Sequence, residues 1–187
     1  MRHWDDVEAW LRQVAEDDMR HDGRIRPTLV AFATRRPLLM VRCRAFAAGE
    51  GAAALREILD IALPLGADRI AMSFGGRAWK VDGDARPRHD RSTLREILLI
   101  AVAERNSEGV DLRCILHEIE RARCGPAIER SSDTHPVAGW LPRTLTTALA
   151  ARTGVPTSRE VIAARAVHSI TLGHQLHVPD GQHATTQ

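Results

Sequence analysis

The chain has 187 residues, 44% hydrophobic and 27% charged, with a mean hydropathy of -0.23. That is the length of one domain plus an appendage, and the composition excludes a disordered chain or a fibrous repeat. Its 26 Lys and Arg against 24 Asp and Glu leave a formal net charge of +2, and Lys80 is the sole lysine.

Residues 3–20 read as an acidic amphipathic helix. Trp4, Val7, Leu11, Val14 and Ala15 share a stripe, Trp10 lies beside it, and Asp17 and Asp18 fall outside it. After Asp22-Gly23, residues 24–33 read as extended, with Pro27 marking a strand start or sheet edge. Thr34-Arg35-Arg36-Pro37 predicts a reversal into a second strand, Leu38–Phe46, and hence an antiparallel hairpin. In that strand the alternation places Leu39, Val41, Cys43 and Ala45 on one face and Leu38, Met40, Arg42 and Arg44 on the other. Ala52–Leu63 reads as a helix that Pro64 to Gly66 stop.

Asp68–Phe74 alternates as a strand, and Gly75-Gly76 predicts a turn or bulge before Trp79 and Val81. Residues 82–92 form a polar loop. Leu94–Glu104 and Val110–Ala122 read as strands joined by a hairpin over Asn106-Ser107-Glu108-Gly109. The continuous apolar run Ile97–Ala103 leaves a helix open there. Residues 143–152 and 157–172 read as two helices around Gly154-Val155-Pro156, before a frayed tail.

The resulting expectation is an α+β fold, with a mostly antiparallel sheet carrying a helix on one face, an N-terminal helix and a C-terminal helical pair. Its parts are an acidic helix (1–24), an α+β core (25–124), an irregular linker (125–142), the helical pair (143–178) and a tail (179–187). The longest apolar runs are far below the ~20 residues of a membrane span. Asp5, Asp6 and Glu8 stand where a secretory signal would be basic. A cytoplasmic protein without a membrane partner is therefore expected. Cys43, Cys114 and Cys124 are widely spaced and odd in number, which suits reduced thiols better than disulfides or a zinc site.

Gly49-Glu50-Gly51-Ala52-Ala53-Ala54 matches the G-x-G-x-x-A turn of dinucleotide-binding folds. The arginines of the preceding strand and its hairpin context favour instead a small-residue helix start that packs closely, so no cofactor is expected. His168, His174 and His177 lie near the C-terminus, with His174 and His177 spaced to share a helix face. They equally suit a helix C-terminus, and no metal site is assigned. His117-Glu118 and Glu120 alternate along a strand and so cannot act as a helical H-E-x-x-H.

The order of elements, with Asp133, His135 and Pro136, resembles the JAMM metalloproteases that act on ubiquitin-like conjugates. That family's H-x-H ligand pair requires a histidine where Asp133 stands, and its downstream serine and aspartate are missing. The resemblance implies a related fold without the full motif, and a hydrolase would have to draw on His117, Glu118, Asp133 and His135. Separately, Leu149–Ile162 resembles a helix-turn-helix core, in which Ala150 and Gly154 have the motif's spacing. Thr157 or Ser158 would cap a second helix carrying Arg159 and Arg165. Glu160 stands where that motif expects an apolar residue.

Charge is unevenly spread. Residues 1–24 hold four Arg against seven acids, whereas residues 25–89 hold ten Arg and Lys80 against six acids. Arg35, Arg36, Arg42, Arg44, Arg86, Arg88 and Arg91 are therefore expected to form an arginine-rich surface for an acidic partner, either a protein face or nucleic acid. The acidic N-terminal helix could cover it in the free protein or in a homo-oligomer. Without a complete acid–base, nucleophile or metal constellation, the sequence points to a non-catalytic binding or regulatory protein.

Overall fold

A computed structural model describes residues 4–47, 49–79, 94–122, 125–128, 139–151 and 157–179. Its elements are α1 (Trp4–Asp22), β1 (Thr28–Ala33), β2 (Arg36–Arg42), α2 (Gly51–Ala62), β3 (Arg69–Trp79), β4 (Leu94–Arg105), β5 (Val110–Ala122), β6 (Gly125–Ile128), α3 (Trp140–Ala150), α4 (Arg159–Thr171) and β7 (Gln175–His177). The strands form one sheet in the order β6-β5-β4-β3-β1-β2-β7, and every neighbouring pair is antiparallel. The α+β expectation holds. No described helix is long and apolar enough to cross a membrane.

Helices cover both faces of the sheet. Val7, Leu11, Ala15 and Met19, spaced four apart on α1, pack against Val30, Phe32, Leu98, Ile100 and Val102. The opposite face receives Leu55, Ile58 and Leu59 of α2 and Leu141, Leu145 and Leu149 of α3. This two-sided burial settles the ambiguous run in β4. Ile97, Leu99, Ala101 and Ala103 point to α2 and α3, while Leu98, Ile100 and Val102 point to α1.

Several local expectations are corrected. Gly75 and Gly76 do not turn the chain but pair with Leu98 and Ile97 inside β3. A Cβ at Gly75 would stand 2.8 Å from Ile25 Cβ, and one at Gly76 would stand 2.9 Å from the Phe74 ring. Close approach, and not a reversal, is what needs glycine there. β6 forms where only an irregular linker was expected, and β7 follows the last helix after the Leu172-Gly173 turn, where Gly173 has φ 98°. The β1–β2 register shifts between Ala31 and Phe32, so Leu38 and Leu39 both enter the core beneath α2.

Candidate functional site

The arginine surface expected from sequence separates into distinct environments. At the β1–β2 tip Ala33 pairs with Arg36, leaving Thr34-Arg35 as a two-residue loop with φ 46° and 70°. Positive φ at both positions is what a type I′ hairpin turn requires, but glycine or asparagine ordinarily supplies it. The Thr34 amide donates to both carboxylate oxygens of Asp68, at 3.0 and 3.3 Å, which braces the turn. Arg35 and Arg36 project from it, exposed and without an ion-pair partner among the described residues.

Arg42 and Arg44 do not share a face. Arg42 reaches under α1, where one guanidinium nitrogen bonds the Asp18 carboxylate and another donates to Thr28 Oγ1 at 2.8 Å. Asp18 is thus buried by its pairing, although its position appeared to lie off the apolar stripe. Arg44 lies beyond the end of β2 and turns the other way, meeting Glu57 of α2 at 3.4 Å and Glu50 at 3.8 Å. Two further arginines are also engaged internally. Arg69 stacks 4.2 Å over the Trp4 ring while bonding Glu104, and Arg105 donates to the Leu149 carbonyl. Arg86, Arg88 and Arg91 lie outside the described residues.

One constellation was invisible in the sequence. His174, Glu57, Arg44 and Cys43 converge where the start of β7, α2 and the end of β2 meet. The Arg44 backbone N–H donates to His174 Nδ1 at 3.2 Å, so Nδ1 is the acceptor nitrogen. Nε2 therefore carries the proton and donates to Glu57 at 2.9 Å. Burial pushes the Glu57 carboxyl upward, but the hydrogen bonds from His174 and Arg44, with the Arg44 charge, outweigh it and hold that carboxyl below its ordinary value. Burial pushes the Cys43 thiol up to about 12, against the pull of Arg42 and Arg44. A Cys–His–carboxylate neighbourhood is the composition of a nucleophilic site. Here the thiol is held protonated and the imidazole's lone pair is spent on a backbone amide, so the cluster works as a clamp. It ties β7 to α2 and to the chain leaving β2.

No family model, curated protein or solved structure matches this chain.

His174 and His177 do not share a helix face, for His174 is buried and His177 sits exposed in β7. Among the described residues no His, Cys, Asp and Glu cluster could hold a metal ion. His117 is buried on the α1 face of β5, with Nε2 4.0 Å from Glu8 Oε1, while Glu118 is exposed on the opposite face. Asp133, His135, Cys124 and the turn at Gly154 lie outside the described residues. Gly51 does not face a βαβ crevice, because β2 runs antiparallel to its neighbours and its ring neighbour is Trp140. Ser158 caps α4, accepting from the Val161 amide at 3.4 Å, as the sequence suggests. Yet α3 packs on β4, β5 and α2, and α4 chiefly on α2, unlike the mutually packed helices of a helix-turn-helix.

Proposed function

We propose that the protein is a non-catalytic binding module whose contact for an acidic partner is the Arg35-Arg36 hairpin tip. One contrast carries this reading. Arg42, Arg44, Arg69 and Arg105 are consumed by internal carboxylates, carbonyls and an aromatic ring, whereas Arg35 and Arg36 stand exposed on a turn held in left-handed backbone by Asp68. Unfavourable backbone kept by a specific brace is a feature of preorganised recognition loops. Two adjacent guanidinium groups on a narrow tip suit the carboxylates of an acidic protein segment better than a duplex, whose affinity grows with many phosphate contacts.

The test is fluorescence anisotropy with labelled poly-glutamate and with duplex DNA across a salt series. Binding of the acidic peptide, lost in the Arg35→Glu/Arg36→Glu double variant and kept in Arg42→Met, is the expected result. DNA binding with a steep salt slope would replace the protein partner with nucleic acid. Binding untouched by the tip variant would sink the reading.

A further inference from the structure

Little apolar burial holds α4 and β7 to the rest of the molecule. Among the described residues β7 pairs only with Met40, Val41 and Arg42. Of the 13 residues of α4, Ser169 is the one that is buried, and Ile162 and Ala166 are partly covered against the core. Segments with so few buried apolar groups are the first to open locally. Their attachment leans instead on polar contacts. Arg165 donates to the Asp60 carbonyl at 2.9 Å near the surface, and His174 forms the buried clamp.

His174 completes the sheet edge in an unusual way. The Cys43 amide turns inward to the Pro27 carbonyl, so the Arg44 amide points outward along the side that β7 occupies. There the ladder has ended at Gln175, and an imidazole nitrogen takes the place of the next strand carbonyl. A ring nitrogen can accept only while its lone pair is free. A proton on Nδ1 would set one N–H against another.

The charges around the ring do not offset that conflict. From α2, Glu57 accepts from Nε2 at 2.9 Å, but the same carboxylate already holds the Arg44 guanidinium at 3.4 Å. Glu50 meets that guanidinium at 3.8 Å. From the end of β2 come this cation and the Cys43 thiol, which burial keeps protonated, while Arg42 is drawn away to Asp18. On α4, Ser169 carries no charge and His168 is exposed in the last turn, where a cation favours the helix. His177 of β7 is exposed.

We infer that α4 and β7 form an acid-released latch on the β2 edge, with His174 as the group that takes up the proton. In the latched state Nδ1 is committed to the Arg44 amide. In the released state the ring enters water and is protonated freely, so acid favours release. For a solvated histidine titrating near 6.5, the released population grows about tenfold from pH 7.5 to pH 5.5. Glu57 stays ionised across that window, because its partners hold it below its ordinary value. Release leaves Met40 to Arg42 as the new sheet edge, and a detached helix as short as α4 is marginal in water.

Residue-resolved hydrogen exchange on the full chain, expressed as protection factors so that the intrinsic pH effect cancels, provides the test. Amides of α4, β7 and Arg44 should lose about tenfold in protection between pH 7.5 and pH 5.5, while those pairing β3 with β4 keep theirs. His174→Gln, whose side chain can accept from Arg44 and donate to Glu57 without titrating, should abolish this pH dependence. His177→Gln should retain it. Flat wild-type protection across the window would overturn the inference, as would a loss spread evenly over the sheet or a pH dependence that survives in His174→Gln. Should the glutamine variant fail to fold, the wild-type profile still decides, because the loss must follow the uptake of one proton and stay within α4, β7 and Arg44.

Discussion

His174 and Glu57 meet at 2.9 Å although 117 residues separate them in the chain, and the Arg44 amide on the other ring nitrogen fixes which one donates. This arrangement makes the C-terminal strand part of the core domain and not an attached tail. Replacing Glu57 by Ala strips the partner from a buried imidazole and from Arg44. Losing hydrogen bonds to a charged acceptor should cost about 1.5–3 kcal/mol, measured by urea unfolding. His174→Ala should cost a comparable amount, and the double variant should be less destabilised than the two losses added together.

The same carboxylate predicts the shape of the acid limb. Glu57 is held below its ordinary value in the folded protein, so between the folded and unfolded values the unfolded state binds more protons. Its contribution is present above about pH 4.3, the usual value of an unfolded glutamate, and fades as pH falls through the lower folded value. Unfolding free energy measured against pH should therefore fall less steeply at the acid end in Glu57→Gln than in the wild type. Parallel curves would show that the carboxylate contributes no linkage.

Asp18 and Arg42 form the second internal pair, and their consequence is directional. Asp18 Oδ2 also accepts from the Arg26 amide at 2.9 Å, so Asp18→Ala leaves a guanidinium and a backbone N–H together under α1. The pair is partly solvated, which places the loss nearer to about 1–3 kcal/mol than to the larger cost of a fully buried break. Arg42→Met should be milder, because its apolar stem keeps the packing while Asp18 retains the Arg26 amide. Equal losses in the two thermal melts would show that Asp18 acts through Arg42 alone.

The turn at Thr34-Arg35 offers a gain instead of a loss. Threonine is branched at Cβ and poorly suited to φ 46°, whereas asparagine tolerates that region. Thr34→Asn should raise stability by about 0.5–1 kcal/mol and leave both arginines in place. Under the proposed function it should bind the acidic peptide as well as the wild type does. A lower melting temperature would mean that the Thr34 side chain matters in a way its backbone does not reveal.

Much of the architecture was legible because it rests on local periodicity. The four-residue spacing from Val7 to Met19 and the alternation along β5 are set by neighbours in the chain, and they survive folding unchanged. The site was not legible, for the opposite reason. Asp18 looked like a solvated acid until Arg42 arrived beneath it, and Arg44 seemed to share a face with Arg42 until the strand ended between them. Arginine count predicted a charged surface, while pairing with distant carboxylates removed several of those charges from it. Likewise β7 is only three residues long, too short for any pattern, and owes its place to the His174 clamp and its ladder with β2.

Gly51 provides the last prediction, in which two effects of opposite sign compete. It lies at the start of α2, where Ala would improve helix propensity by up to about 1 kcal/mol. A Cβ there would stand 2.5 Å from Trp140 Cζ2, well inside contact distance. The indole has little room to yield, because it meets the Phe46 and Phe74 rings edge-on, at 6.1 and 5.4 Å between centroids. Phe46 and Phe74 are themselves stacked at 5.8 Å. Overpacking of this kind costs about 1–3 kcal/mol, which exceeds the propensity gain. Gly51→Ala should therefore destabilise the protein despite its helical position, and the loss should accompany a change in tryptophan fluorescence as the ring is displaced. Combining it with Trp140→Leu removes the clash, so the alanine should then be neutral or stabilising in that background. If Gly51→Ala stabilises the wild type outright, the close contact between α2 and α3 is not what places glycine at this position.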